Sequence, residues 1–181
     1  MIVMSKLALE LIKENIRTGD TRLDLGNCGL TNLPVELFDC VWLEELILSN
    51  EWWDLEKKKF AFSKNNGPKN ILKNIPTEIG KLHKLSLLIA SGRYNYQWSI
   101  SDISFLQDLP VLKTLYLGAN QISEISFLQS LTTLQYLDLS FNQISDISFL
   151  QSLTALQYLD LRSNQISDIS FLQSLTALQY L

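Results

Sequence analysis

The chain offers few groups that could do covalent chemistry. Histidine occurs once, at His83, inside the polar segment IGKLHKL, where it reads as a solvated surface residue. Ser145-Asp146 and Ser167-Asp168 recur with a repeat and read as turn and helix-start residues rather than nucleophiles. No Ser-His-Asp or Cys-His arrangement is present, so no catalytic residue is assigned. The two cysteines, Cys28 and Cys40, do not make a disulfide scaffold and, without histidine company, are too few for a metal site. They read as buried core thiols. No G-x-x-x-x-G-K-[ST] segment exists to cradle a phosphate. The expectation is therefore no metal, no cofactor and no enzyme. What remains is the chemistry of recognition, carried by aromatic rings and carboxylates.

Those groups are positioned by a repeat. The segment LQYLDLSFN, residues 134–142, has the form L-x-x-L-x-L-x-x-N, and the same form recurs at 112–120 (LKTLYLGAN) and 156–164 (LQYLDLRSN). The closing asparagines Asn120, Asn142 and Asn164 are 22 residues apart (142 − 120 and 164 − 142). That form and period are those of a leucine-rich repeat, in which each turn contributes one strand and one return segment. Leu137 and Leu139 alternate with Tyr136, Asp138 and Ser140, so the leucines face inward and the other set faces the concave surface. One turn cannot bury its leucines alone, but stacked turns share a core. Asn120, Asn142 and Asn164 are expected to form a structural ladder, satisfying backbone groups where the strand bends into its return. The fold class predicted is an α/β solenoid: a leucine-rich-repeat horseshoe with a parallel β-sheet on the concave face and an N-terminal capping helix.

Two domain-level segments follow. Residues 1–19 read as an amphipathic capping helix, with Ser5 as N-cap and Gly19 as stop, covering the open end of the first turn. Residues 20–181 hold the repeats. Cys28 stands where later turns have asparagine. In the second and third turns the same frame position lands on Glu51 and Arg93, and regularity then breaks. One insertion covers 51–69 (EWWDLEKKKFAFSKNNGPK) and a smaller one 94–99 (YNYQWS). The last repeat stops at Leu181, which matches Leu137 and Leu159, so the chain is expected to be the N-terminal part of a longer product.

Lining up the strands gives two outward columns. One holds Arg22, Glu45, Leu87, Thr114, Tyr136, Tyr158 and Tyr180; the other holds Asp24, Ile47, Ile89, Tyr116, Asp138 and Asp160. Neighbouring strands lie about 4.8 Å apart, so the late tyrosines form an aromatic row flanked by carboxylates. The partner-binding residues assigned on this basis are Tyr116, Tyr136, Asp138, Tyr158 and Asp160. These residues are equally accounted for as copies carried along with the repeat. Both insertions leave the solenoid at the same point of neighbouring turns, so they should project side by side from one edge. Trp52, Trp53, Tyr94, Tyr96 and Trp98 join the partner-binding set on that ground. The alternative is that these rings form a small local core that holds the insertion down. Lys57, Lys58, Lys59, Lys64 and Lys69 add local positive charge, too short a patch to argue for single-stranded nucleic acid.

Net charge is −4, which makes no global case for nucleic acid. No apolar run is long enough to span a membrane, and the opening MIVMSKLALELIKEN has no clean apolar core of a secretory signal. The default compartment is the cytoplasm. The late repeats, NQISDISFLQSLTALQYLDL, resemble those of the bacterial internalin-like family, with Phe149-Leu150 where that family usually has Pro-Leu. The N-terminal part, ALELIKENIRTGDTRLDLGNCGLTNLP with the following WW insertion, resembles the repeat region that opens bacterial Roco proteins. That second resemblance implies a Ras-like GTPase and a COR domain downstream, outside this chain. The function expected is a non-catalytic protein-binding module, the recognition arm of a larger bacterial signalling protein. Its alternative is a regulatory arm acting on a GTPase domain in cis. A secreted adhesin is a third possibility, which a signal peptide upstream of Met1 would favour.

Overall fold

The computed structural model describes residues 5–54, 59–93 and 98–181. Tyr94 and Tyr96, with Lys57 and Lys58, lie outside the described residues. The chain opens with α1 (Lys6–Thr18). Ser5 Oγ accepts from the Ala8 amide, and Gly19 ends the helix with a left-handed φ of 71°. Ala8 and Ile12 enter the core of the repeats. The buried Asn15 fastens helix to solenoid: its Nδ2 donates to the carbonyls of Asp20 and Arg22, and its Oδ1 accepts from Trp42 Nε1.

Six short strands follow at the concave face: β1 (Arg22–Asp24), β2 (Glu45–Ile47), β5 (Leu87–Ile89), β6 (Thr114–Tyr116), β7 (Tyr136–Asp138) and β8 (Tyr158–Asp160). They pair in parallel in that order. The middle residues Leu23, Leu46, Leu88, Leu115, Leu137 and Leu159 lie opposite one another in register, all buried. Both outward columns expected from the sequence are confirmed by the same register, and Tyr180 extends the first by a parallel bridge to Tyr158. Each turn returns through a single turn of 3₁₀ helix on the convex side. Acidic residues start the late ones: Asp146 accepts from the Ser148 amide and Asp168 from Ser170, both at 2.8 Å. These bonds hold both carboxyls below the usual carboxylate range. Each buried leucine of the shared core contributes on the order of 1.5–3 kcal/mol. The leucine-rich-repeat solenoid with its N-terminal helix is thus the observed fold.

The insertion at 51–69 builds a second sheet, an antiparallel ribbon of β3 (Glu51–Asp54) and β4 (Lys59–Phe62). It is spliced between strand two and that turn's ladder residue. Asn70 Nδ2 donates to the carbonyls of Leu25 and Leu48, each at 2.7 Å, and its Oδ1 accepts from the Cys28 and Leu30 amides. The late asparagines repeat this scheme. Asn142 Nδ2 donates to Leu117 and Leu139 carbonyls, and its Oδ1 accepts from Ile122. Asn164 does the same with Leu139, Leu161 and Ile144. The ladder therefore runs from asparagine to backbone to asparagine, each side chain tying its own turn to the one before. Just ahead of the ladder position, Asn27, Ala119, Phe141 and Ser163 adopt φ between 51° and 56°. This left-handed residue lies three positions past the strand, where the chain turns into its return.

Two frame assignments need correction. Glu51 and Arg93 do not occupy the ladder position, which Asn70 and Trp98 take after the insertions. Trp98 is fully buried, donating through Nε1 to the Asn70 carbonyl at 3.0 Å, so it is a core residue and not a surface contact. Asn120, the next rung, donates to the Ala90 and Leu117 carbonyls, but its Oδ1 has no hydrogen-bond partner among the described residues. Cys28 and Cys40 are buried free thiols whose pKa burial pushes up to about 11, and His83 is exposed, as expected.

The bonds of Asn142 set a testable hierarchy. Asn142→Ala is expected to cost about 1–3 kcal/mol, because it strands buried backbone groups of two turns. Asn164→Ala, at a half-buried rung, should cost less. Urea unfolding of the two variants checks this; an unchanged midpoint for Asn142→Ala would refute the ladder.

Candidate functional site

The ribbon does not project away from the sheet edge as a free loop. It stands on the concave face as a wall. Alternation along β3 sends Trp52 to one face and Glu51 and Trp53 to the other. Trp52, half-buried, packs on the outward column residues Ile47, Ile89 and Tyr116. It anchors the ribbon, which is the local-core alternative raised by the sequence. Behind β4, the chain is pinned across the first turn: Ser63 Oγ donates to the Gly26 carbonyl, Asn65 Nδ2 to those of Asp24 and Gly26, and the Gly29 amide to Pro68. Gly26 is required for that approach, since a Cβ there would sit 2.2 Å from the Ser49 carbonyl and 2.6 Å from Ser63 Cβ.

The other ribbon face is open. Trp53, Phe60 and Phe62 are 40%, 54% and 61% exposed, with the Trp53 and Phe60 rings edge-to-face at 5.3 Å. This face borders a groove of about 720 Å³ whose floor is the concave face of the later turns. Tyr116, Asp138, Tyr158, Asp160 and Tyr180 line it, with Ser91, Arg93 and Phe141. The assigned surface residues Trp53, Tyr116, Asp138, Tyr158 and Asp160 are therefore brought into one place. Tyr136 lines a smaller recess of about 230 Å³ on the other side of the wall, shared with Trp52 and Asp54. The Tyr158 and Tyr180 rings stand 6.1 Å apart, tilted by 41°.

The charges in the groove pair off unevenly. Glu51, the first residue of β3, and Arg93, four residues past β5, form an ion pair at its edge. Asp160 is held by Arg162, whose Nε and Nη2 both donate to the carboxylate. Among the described residues Asp138 accepts only from Ser140, through the amide at 2.9 Å and Oγ at 2.6 Å. Burial pushes its pKa up from 3.8 to about 6; the Ser140 hydrogen bonds oppose the shift and the Asp160 charge adds to it. Burial and then the Asp138 charge raise the Tyr116 phenol, and burial followed by the Asp160 and Asp138 charges raises that of Tyr158. Gly118 leaves room for Asp138, because a Cβ there would approach both carboxylate oxygens at about 3 Å (2.9 and 3.0 Å).

Five lining residues, Glu51, Ser91, Arg93, Phe141 and Arg162, escaped the sequence assignment. A signal existed for two of them. Arg162 and Phe141 flank the ladder asparagine within the copied S-F-N and R-S-N triplets, where the repeat departs from identity. Phe141 also carries left-handed backbone at φ 54°, a conformation that costs a β-carbon residue about 1–2 kcal/mol.

Residues 132–174 match the family model described as leucine-rich repeats in two copies, and residues 93–144 match the leucine-rich-repeat model. No curated protein matches the sequence. Solved structures do. An internalin from Listeria monocytogenes is 28% identical with a TM-score of 0.66, over 82% of this chain and 37% of its own. Internalin C2 from the same organism is 26% identical, TM-score 0.53, over 98% and 92%. A leucine-rich-repeat protein from Leptospira interrogans is 27% identical, TM-score 0.63, over 88% and 41%. The chain thus spans 37% of the length of the first of these and 41% of the last. These bacterial repeat proteins support the internalin-like resemblance. No described helix is long and apolar enough to cross a membrane.

A pH prediction follows from Asp138. Its folded pKa lies above its unfolded one, so the folded state binds the proton more tightly. Stability falls as pH rises through the window from about 4 to about 6, and the loss is complete above it. Asparagine can accept the same Ser140 bonds without the charge. Asp138→Asn should therefore be more stable than the parent by about 1–2 kcal/mol at pH 7.5, after allowance for partial solvent screening, and no more stable at pH 3.5. Urea midpoints at the two pH values decide it; an equal difference at both would mean the carboxylate is not desolvated.

Proposed function

We propose that this chain is a non-catalytic protein-recognition module that takes its partner in the groove between the ribbon and the late concave strands. Leucine-rich repeats are protein-interaction scaffolds, and one observation favours this groove as the contact. Three large aromatic side chains of the ribbon are left exposed beside a tyrosine-lined groove. Scattered exposed apolar residues are ordinary, but a contiguous aromatic face beside a cleft has the composition of an interface centre. Tyrosine and tryptophan supply contact area at little cost in side-chain freedom. The rigid solenoid pre-orders that surface, so little conformational entropy is lost on binding.

The wider setting belongs to the same proposal: the recognition arm of a larger bacterial signalling protein, working in the cytoplasm. A regulatory role toward a Roco-type GTPase domain rests on the N-terminal resemblance, and a P-loop motif in the complete reading frame is what would support it. A signal peptide upstream of Met1 would move the module outside the cell, as for an adhesin.

Site-directed photo-crosslinking tests the groove. With p-benzoylphenylalanine at position 158, on the concave face, irradiation in cells should yield discrete protein adducts. The same residue at position 151, on the convex side, should yield none. Trp53→Ser should reduce the adducts from position 158 without lowering the unfolding midpoint by more than about 0.5 kcal/mol, as expected for a surface change. Equal adducts from both faces would overturn this reading.

A further inference from the structure

The groove leaves one charge and one polar group unanswered. Its described lining holds three carboxylates, Glu51, Asp138 and Asp160, and two guanidiniums, Arg93 and Arg162. Each guanidinium is ion-paired with another carboxylate, so among the described residues Asp138 has no ion pair of its own and feels Arg162 only at longer range. Arg162 gives Nε and Nη2 to Asp160 and, among the described residues, makes no hydrogen bond to Asp138. Asp138 lies in register between Tyr116 and Asp160, and the Tyr158 ring lines the same groove. A cation seated there would meet a carboxylate and tyrosine faces, the pairing that ammonium and guanidinium groups favour when partly desolvated. Independently, Ser91 lines the groove, is only 9% exposed, and its Oγ has no hydrogen-bond partner among the described residues. A buried hydroxyl of this kind calls for a partner, an ordered water or a bound group.

The open groove of about 720 Å³ between the ribbon and the concave strands has room for a short stretch of polypeptide. An extended segment of a few residues fits, with polar backbone groups available to Ser91. Resting on the function proposed above, we propose that the groove takes an extended segment of a partner protein in which a lysine or arginine stands beside an apolar residue. The cation seats on Asp138 between the tyrosines. The apolar side chain packs on Trp53 and Phe60 of the ribbon wall. A backbone group of the segment is bonded by Ser91 Oγ.

A random dodecapeptide library displayed on phage, panned against the full chain, tests this. Enriched peptides are then synthesised and measured by fluorescence polarisation. The expected consensus has lysine or arginine within two residues of an apolar or aromatic side chain. Replacing that basic residue by norleucine, or making Asp138→Asn in the chain, should weaken binding at least tenfold. Asp24→Asn, in the same column but outside the groove, should leave binding unchanged. Peptides that lack a basic residue, or that ignore Asp138→Asn while losing affinity on Trp53→Ser, would overturn the cation site and leave the groove as a binding surface. Enrichment of no peptide would overturn the extended-segment reading, while crosslinking from position 158 still judges the groove separately.

Discussion

The structure depends on how backbone polar groups are satisfied where each strand ends. A solenoid turn must bend sharply out of its strand, and the bend buries carbonyls and amides that no neighbouring strand can reach. Leaving one such group unpaired costs about 1–3 kcal/mol, comparable with the burial of a leucine. The asparagine rungs remove that cost by bonding two turns at once. Asn142 alone joins Leu117, Leu139 and Ile122. The leucine core makes stacking favourable, and the rungs make the stacking register unique, because a slipped turn would leave both donors and acceptors buried and unmet.

This constraint also explains how a 19-residue insertion (51–69) is tolerated without breaking the coil. The insertion enters after strand two and returns at Asn70, which makes all four rung bonds. The solenoid needs only that an asparagine arrive at that point, not that it be close in sequence. What lies between is free to build something else, and it builds a wall on the concave face. The third turn solves the same problem with an indole in place of an amide. Trp98 gives its one donor to the Asn70 carbonyl and has no acceptor to offer, so this rung makes fewer bonds than an asparagine rung.

The regular features were legible in the sequence because they are periodic. The 22-residue spacing of Asn120, Asn142 and Asn164 fixed the register, and both concave columns follow from register alone. The capping helix was legible from its spacing and from Ser5 and Gly19. The wall was not, because periodicity stops at Glu51 and the ribbon's position is decided by Trp52 packing on Ile47, Ile89 and Tyr116, residues distant in sequence. Trp98 was misplaced for a related reason. Counting forward from strand three reaches Arg93, whereas counting 22 back from Asn120 reaches Trp98, and only the second count crosses the insertion correctly. The electrostatic character of the groove was half legible. The carboxylate column could be aligned, but that Arg162 would pair with Asp160 and not with Asp138 depends on side-chain geometry.

The most direct measurement concerns Asn70, the residue through which the wall is tied to the coil. Amide hydrogen exchange of the Asn70→Ala variant should show lost protection at Cys28 and Leu30, whose amides bond to its Oδ1, with loosening of the ribbon that precedes it. Ile144, served by Asn164, should keep its protection. Unchanged protection at Cys28 and Leu30 would contradict the account that side-chain rungs, and not strand pairing alone, hold the turns and the groove in place.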